Sequence, residues 1–217
     1  MTDSLPLMPD IEPNIIFTNA WFRADNYQPA IYWQLNQQNG LLSLTEARAR
    51  AQAIFQAIGY AEGEAAIVKG FVQMYRSSAQ QQPPKGFGIS YSQHLAQAEN
   101  EALVTSAHLR EFLKEGRSPL IEGIEVIFGL KTRKALINVF WYGEKCQWET
   151  VQALNHAIGL IETAEAAESD AYFRWFLMER IGISVEEAYP MIAEFQGFRQ
   201  RRQLEELFEG GDRHESA

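Results

Sequence analysis

Two glutamates interrupt an apolar stretch of the chain and are the residues best placed to do chemistry. Glu165 and Glu168 are three residues apart, so a helix would carry both on one face. That face also gathers large apolar side chains, namely Trp148, Val151, Leu154, Ile158, Ile161, Tyr172, Trp175 and Phe176. Buried carboxylates must be paired, hydrogen-bonded, protonated or metal-bound, because an isolated buried charge is costly. One interpretation is therefore a metal or acid/base site within a helical bundle, with Glu62 as the nearest further candidate.

The competing interpretation is that Glu165 and Glu168 are solvated or paired with a lysine or arginine from elsewhere. A di-iron carboxylate bundle requires Glu-x-x-His motifs. None of the four histidines, His94, His108, His156 and His214, has a glutamate three residues before it. The ferritin-like arrangement is thereby excluded, and we favour the solvated or paired interpretation.

A shift of 106 residues places Ala61-Glu62 on Ala167-Glu168 and Glu64 on Asp170. The two acids of each motif are two residues apart and diverge by about 200° around a helix, so they cannot share one ion. Most matches at this shift are alanines, which two alanine-rich helices share by chance, and the hairpin described below has no evident counterpart. We therefore favour chance over duplication.

Two basic clusters stand out against an acidic chain. Lys131, Arg133 and Lys134 lie at a predicted hairpin turn, and Arg199, Arg201 and Arg202 lie on the last predicted helix. They could bind a phosphate, a nucleic acid or an acidic partner. The favoured alternative is that they keep the turn soluble and pair with nearby glutamates.

Composition limits the classes of function. The 217-residue chain has a formal charge of -9 and 46% hydrophobic residues, which suits a folded protein and disfavours nucleic acid as the principal ligand. The chain has no phosphate-binding loop, no nucleophile elbow and no zincin motif, so we expect no cofactor and lean against an enzyme. Cys146 is the only cysteine and favours packing over catalysis. With no signal-like or membrane-spanning segment, we expect a cytoplasmic protein.

Local patterns predict the elements. Short strands are expected at 14–22 and 29–36, and a hairpin at 124–142. A long helix should begin near Leu44, after the capping box of Ser43 and Glu46, with small residues forming one narrow stripe. Further helices are expected at 92–114, at 147–180 ending at Gly182, and in a last segment that begins either after the box of Ser184 and Glu187 or at Pro190.

These predictions define a mainly helical α+β protein. Two long alanine-rich helices should pack in a bundle with shorter helices, beside a small antiparallel β element formed by the hairpin and, in one variant, the N-terminal strands. We expect an irregular arm at 1–13, one compact domain at 14–208 with an internal loop or linker at 77–90, and a polar tail at 209–217. The leading functional hypothesis is a non-catalytic adaptor or assembly protein that associates with itself or a protein partner by helix pairing.

Overall fold

A computed structural model describes residues 15–23, 26–81, 90–115, 123–129, 132 and 134–211, with only the backbone described at 200 and 202–211. It contains four α-helices and two three-stranded antiparallel sheets. The predicted class, α+β and mainly α, is confirmed. The predicted arm at 1–13 and residues 82–89 of the predicted loop lie outside the described residues, as does the tail from 212 onwards.

The first sheet consists of β1 (Phe17–Phe22), β2 (Pro29–Leu35) and β3 (Gln38–Leu42), in that order. The first two strands were predicted, whereas β3 was not. The Asn39-Gly40 pair, a dipeptide typical of turns, lies inside β3, opposite Gln34 and Trp33. A Cβ at Gly40 would come within 2.9 Å of the Trp33 indole nitrogen, so glycine lets that ring lie against the strand.

The second sheet consists of β4 (Ile124–Gly129), β5 (Lys134–Trp141) and β6 (Glu144–Trp148). The predicted hairpin is confirmed as β4 and β5. Residues 147 and 148, predicted as the start of a helix, are instead the end of β6, which pairs with β5 from Ile137 to Trp141. The tight turn between them places Tyr142 and Gly143 at φ of 48° and 92°, in the left-handed region.

Two helices follow each sheet: α1 (Leu44–Gln81) and α2 (Tyr91–Glu115) after the first, and α3 (Thr150–Phe176) and α4 (Val185–Gly211) after the second. A π-helical turn, Leu177–Ile181, extends α3 up to Gly182, which is left-handed at φ 78° as a helix end requires. Residues 77–81, predicted as the start of a loop, are the last residues of α1. Residues 209–211, predicted as tail, end α4.

Capping boxes start all four helices, including α2, where Ser90 and Gln93 exchange the two reciprocal hydrogen bonds. The Ser43 hydroxyl accepts a hydrogen bond from the Glu46 N–H, and the Glu46 carboxylate accepts one from the Ser43 N–H at 2.8 Å. Glu149 and Gln152 make the same reciprocal pair before α3. Ser184 and Glu187 do so before α4, so that helix begins at Val185 rather than at Pro190, which lies within it.

The chain is built from two structural repeats, which corrects our preference for chance. Each half has three meandering strands, a long helix and a second helix, so the hairpin does have a counterpart. Residues 106 apart take the same buried positions in both halves, as in the pairs Ile31 and Ile137, Leu35 and Trp141, Leu42 and Trp148, Ala47 and Ala153, Ala51 and Ala157, and Ala61 and Ala167.

The two halves are interlocked around one core. Among the strands, α1 packs mainly on β4 and β5 of the second half, and α3 packs mainly on β1 and β2 of the first. The two helices also pack on each other through buried alanines, which confirms the predicted alanine-rich contact. Trp33 stacks on Tyr142 at 4.6 Å between ring centroids and joins the two sheets. A single hydrophobic cluster therefore draws on both sheets and both long helices.

Candidate functional site

The large apolar side chains of α3 form an exposed surface. Val151 and Tyr172 are each 65% exposed, and Leu154, Ile158 and Trp175 are between 38% and 45% exposed. The sequence leaves open whether this stripe is buried; in the structure Trp148 is buried, and most of the other large side chains are exposed. α3 instead buries Ala153, Ala157, Leu160, Ala164, Ala167 and Asp170. Small residues allow the backbones of α1 and α3 to approach closely, and this contact leaves the larger side chains on the outside.

The exposed face repeats with coiled-coil spacing. Starting at Val151, its positions alternate steps of three and four residues over four heptads: Val151, Leu154, Ile158, Ile161, Glu165, Glu168, Tyr172 and Trp175. We call these eight residues the α3 seam. All are exposed except Ile161, which is half-buried. Apolar residues at this spacing are typical of a helix that pairs with another helix along its length.

Glu165 and Glu168 occupy the third heptad of the α3 seam and face solvent. The Glu168 carboxylate accepts a hydrogen bond from the Arg48 guanidinium on α1, as the competing interpretation required. Glu62 is also exposed, on α1. Within the described residues, no group of three histidine, cysteine, aspartate or glutamate side chains is arranged to hold a metal ion. These glutamates therefore form an acidic segment of the seam rather than a buried cluster.

The acids that the structure buries are Glu64 and Asp170, the pair related by the repeat. Asp170 is fully buried and holds Arg199 of α4 through two hydrogen bonds, with Nη1 to Oδ1 at 2.6 Å and Nη2 to Oδ2 at 3.0 Å. The Gln196 amide adds a third at 2.7 Å. Glu64 lies 3.7 Å from the Arg110 guanidinium of α2. The 106-residue shift aligns these two acids in the sequence, but we attributed the match to chance and did not predict that both are buried.

The two basic clusters do not form one common site among the described residues: Lys134 and Arg199 each form an ion pair with another part of the fold. Lys134 pairs with Glu149 at 2.6 Å, and Arg199 is held by Asp170. Arg201 is exposed on α4. Lys131, Arg133 and the side chain of Arg202 lie outside the part that is described. The contacts of Lys134 and Arg199 agree with the interpretation that these cations serve pairing within the fold.

The apolar surface continues from the α3 seam onto neighbouring aromatic residues. Tyr172 and Trp175 lie 5.6 Å apart between ring centroids. Beside them, Phe173 contacts Phe195 of α4 at 5.1 Å. Phe198, on the same helix, is 52% exposed. The seam thus ends in an aromatic patch shared by two helices, and such exposed patches mark interaction sites on soluble proteins.

The first repeat provides an internal comparison for this surface. The positions of α1 that correspond to the seam carry Thr45, Arg48, Gln52, Phe55, Gly59, Glu62, Ala66 and Lys69. Only Phe55 among them is a large apolar residue, so the same face is polar in the first half. The fold itself does not require an apolar face at these positions, and the apolar character belongs specifically to α3.

No protein-family model, curated protein or solved structure matches the chain. Among the described residues, no helix combines the length and the apolar character needed to cross a membrane. The α3 seam is accordingly interpreted from its own geometry.

Proposed function

We propose that the protein is a non-catalytic assembly protein that associates with a second copy of itself by pairing the α3 seams. The observation that carries this proposal is the exposed heptad pattern of large apolar residues on α3. The corresponding face of α1 is polar. Burying a fully exposed leucine or isoleucine side chain contributes roughly 1.5–3 kcal/mol. Leu154 and Ile158 are already partly covered, so each adds a fraction of this value, and the driving force comes from the whole length of both seams.

The charges of the seam favour two copies that run in opposite directions. In a parallel pair, Glu165 and Glu168 would each face the same glutamate of the partner, and like charges repel. In an antiparallel pair centred on the seam, Glu165 lies across from Ile161 and Glu168 across from Ile158 of the other copy. Arg48 already neutralises Glu168, which reduces the cost of covering it.

Twofold symmetry suits this arrangement. A twofold interface uses the same surface on both subunits and closes after two copies, so no further surface is left to extend the assembly. The seam runs from Val151 to Trp175 and spans about 36 Å at about 1.5 Å per residue. That length is long enough for stable helix pairing, which draws on several consecutive heptads.

The test is the molar mass in solution, measured by light scattering during gel filtration at tens of micromolar protein. We expect a dimer for the native chain and a monomer for Ile158→Glu, because a glutamate at this position would lie across from Glu168 of the other copy, and like charges repel. Phe55→Glu is the matched control, since Phe55 is equally exposed on the corresponding face of α1. This control should remain a dimer.

A native chain that is monomeric at tens of micromolar would contradict the proposal. A dimer that persists in Ile158→Glu would place the interface elsewhere on the molecule.

A further inference from the structure

A cavity of 490 Å³ lies beside the start of α3, formed by that helix, β6 and the beginning of β1. Its polar lining comes from Thr18, Gln147, Gln152, Asn155 and His156. Clefts of roughly 300–1,000 Å³ with a few convergent polar groups are typical of small-molecule sites. The assembly proposed above does not use this cavity.

One wall of the cavity is a stacked pair of rings. The His156 imidazole lies on the Trp148 indole, with centroids 4.2 Å apart and planes inclined by 21°. Burial lowers the pKa of His156 to about 4, so the imidazole is neutral near pH 7. This part of the wall is therefore aromatic and uncharged, and it suits contact with an aromatic ligand.

Amide side chains supply the hydrogen-bonding groups. The Gln147 amide nitrogen donates to Asn138 at 3.0 Å, and the Gln152 amide oxygen accepts from the Glu149 N–H at 3.1 Å. These bonds fix both side chains and use only one end of each amide, which leaves the Gln147 oxygen and the Gln152 nitrogen for a ligand. Asn155, exposed on α3, adds a complete amide at the cavity.

The electrostatic character of the cavity restricts the ligand further. None of the described residues that line it is an aspartate, glutamate, lysine or arginine. A charged ligand would leave its charge without a partner, which is costly away from water. The amide groups equally disfavour a purely apolar ligand, because it would cover them without replacing their hydrogen bonds to water.

We propose that this cavity binds a flat, uncharged heteroaromatic molecule of nucleobase size, with its ring system against the His156 and Trp148 pair and its polar edge against the amides of Gln147, Gln152 and Asn155. The ligand would be a ring system that carries both hydrogen-bond donors and acceptors on one edge. Amide side chains offer the complementary pair of groups.

Ligand-observed NMR titration of the full chain tests this proposal with adenine, hypoxanthine and uracil as probes and indole as the apolar comparison. Indole has the same fused-ring shape as adenine but only one N–H donor. We expect at least one nucleobase to saturate the protein at least about tenfold more tightly than indole, as one good hydrogen bond supplies about that factor. Asn155→Leu should remove this preference, and Gln56→Leu, an exposed amide on α1, should retain it.

Absence of saturable binding by all three nucleobases at millimolar concentration would overturn the proposal. Binding of indole as tight as that of every nucleobase would also overturn it, since shape alone would then account for the affinity. Asn155 is exposed, so its replacement leaves the core intact. His156→Ala, which removes the stacking wall, should independently weaken binding of the nucleobase.

Discussion

Glu64 on α1 and Asp170 on α3 occupy the same buried position in the two repeats, 106 residues apart, and each faces an arginine from the following helix. Arg110 of α2 and Arg199 of α4 are the two partners. In both halves, a carboxylate inside the long helix thereby holds the second helix against it. The Asp170 contact is the more closely bonded, with two charged hydrogen bonds from the guanidinium and one from Gln196.

Replacing Asp170 by asparagine should destabilise the fold strongly. The change leaves the Arg199 charge beside an uncharged amide, and breaking a buried ion pair costs about 3–5 kcal/mol. Urea unfolding followed by circular dichroism measures the loss. Glu165→Gln, an exposed acid on the same helix, should change the free energy of unfolding by less than about 0.5 kcal/mol. Equal effects of the two substitutions would show that the buried pair is dispensable.

Removing the capping box before α1 should lower the stability of the fold by an amount that depends on pH. Hydrogen bonds from the backbone and side chain of Ser43 lower the pKa of Glu46 below its usual 4.5. A carboxylate with a lowered folded pKa stabilises the fold above the unfolded pKa, and that contribution is lost as the pH falls through the folded value. Ser43→Ala should cost about 1 kcal/mol near pH 7.

The cost of Ser43→Ala should shrink in acid, when Glu46 is protonated in both proteins. Thermal unfolding at several pH values measures it. Ser169→Ala, within α3 and exposed, is the control and should be neutral or slightly stabilising, because alanine favours helix. A Ser43→Ala cost that does not vary with pH would contradict the role given to Glu46.

His156 predicts a decrease of stability at mildly acidic pH. Burial lowers its folded pKa to about 4, whereas an unfolded histidine titrates near 6.5. The unfolded state therefore binds the proton first, and stability falls as the pH drops from about 6.5 to about 4, by about 3 kcal/mol in all. Comparing the native chain with His156→Gln isolates this contribution. Parallel stability curves for the two proteins over that range would contradict the prediction.

Cys146 should be chemically inert in the folded protein. The side chain is 1% exposed, and burial, together with the nearby Glu144 carboxylate, raises the pKa of its thiol to about 11. The thiolate is the reactive form and is almost unpopulated at pH 7. A thiol reagent should label the protein only in guanidinium chloride, as measured by absorbance. Fast labelling of the native protein would show that β6 opens readily.

The direction of the proposed dimer can be tested with single cysteines on the α3 seam. Antiparallel pairing places Leu154 of one copy across from Tyr172 of the other. Mixing Leu154→Cys with Tyr172→Cys should give a disulfide-linked heterodimer under mild oxidation, visible on a non-reducing gel. Each variant alone should cross-link poorly, because its cysteines are far apart. Efficient cross-linking of Leu154→Cys with itself would indicate a parallel pair.

The parts of the fold that depend on neighbouring residues could be predicted from the sequence. The capping boxes, the hairpin and the alanine stripe of α1 all follow from spacing within a few residues. β3 and β6 could not be predicted in this way. They are short and largely polar strands, and pairing with the buried central strands β2 and β5 determines their structure.

The exposure of the α3 seam could not be predicted from the sequence for a different reason. α3 carries two apolar stripes, one of alanines and one of large side chains, and hydropathy favours burial of the larger one. Because α1 approaches α3 closely, the alanine stripe is the one that is buried. Local periodicity cannot show this contact, since α1 lies about 106 residues earlier in the chain. The two buried acids could have been found by following the repeat at full length.

The exchange of helices between the two sheets has a consequence for folding. In solenoid proteins each repeat touches only its neighbours and can unfold separately. Here α1 covers the strands β4 and β5, and α3 covers β1 and β2, so neither repeat has a complete core until the other is made. We therefore expect the two repeats to gain and lose structure together, as a single cooperative unit that forms only after the second repeat has left the ribosome.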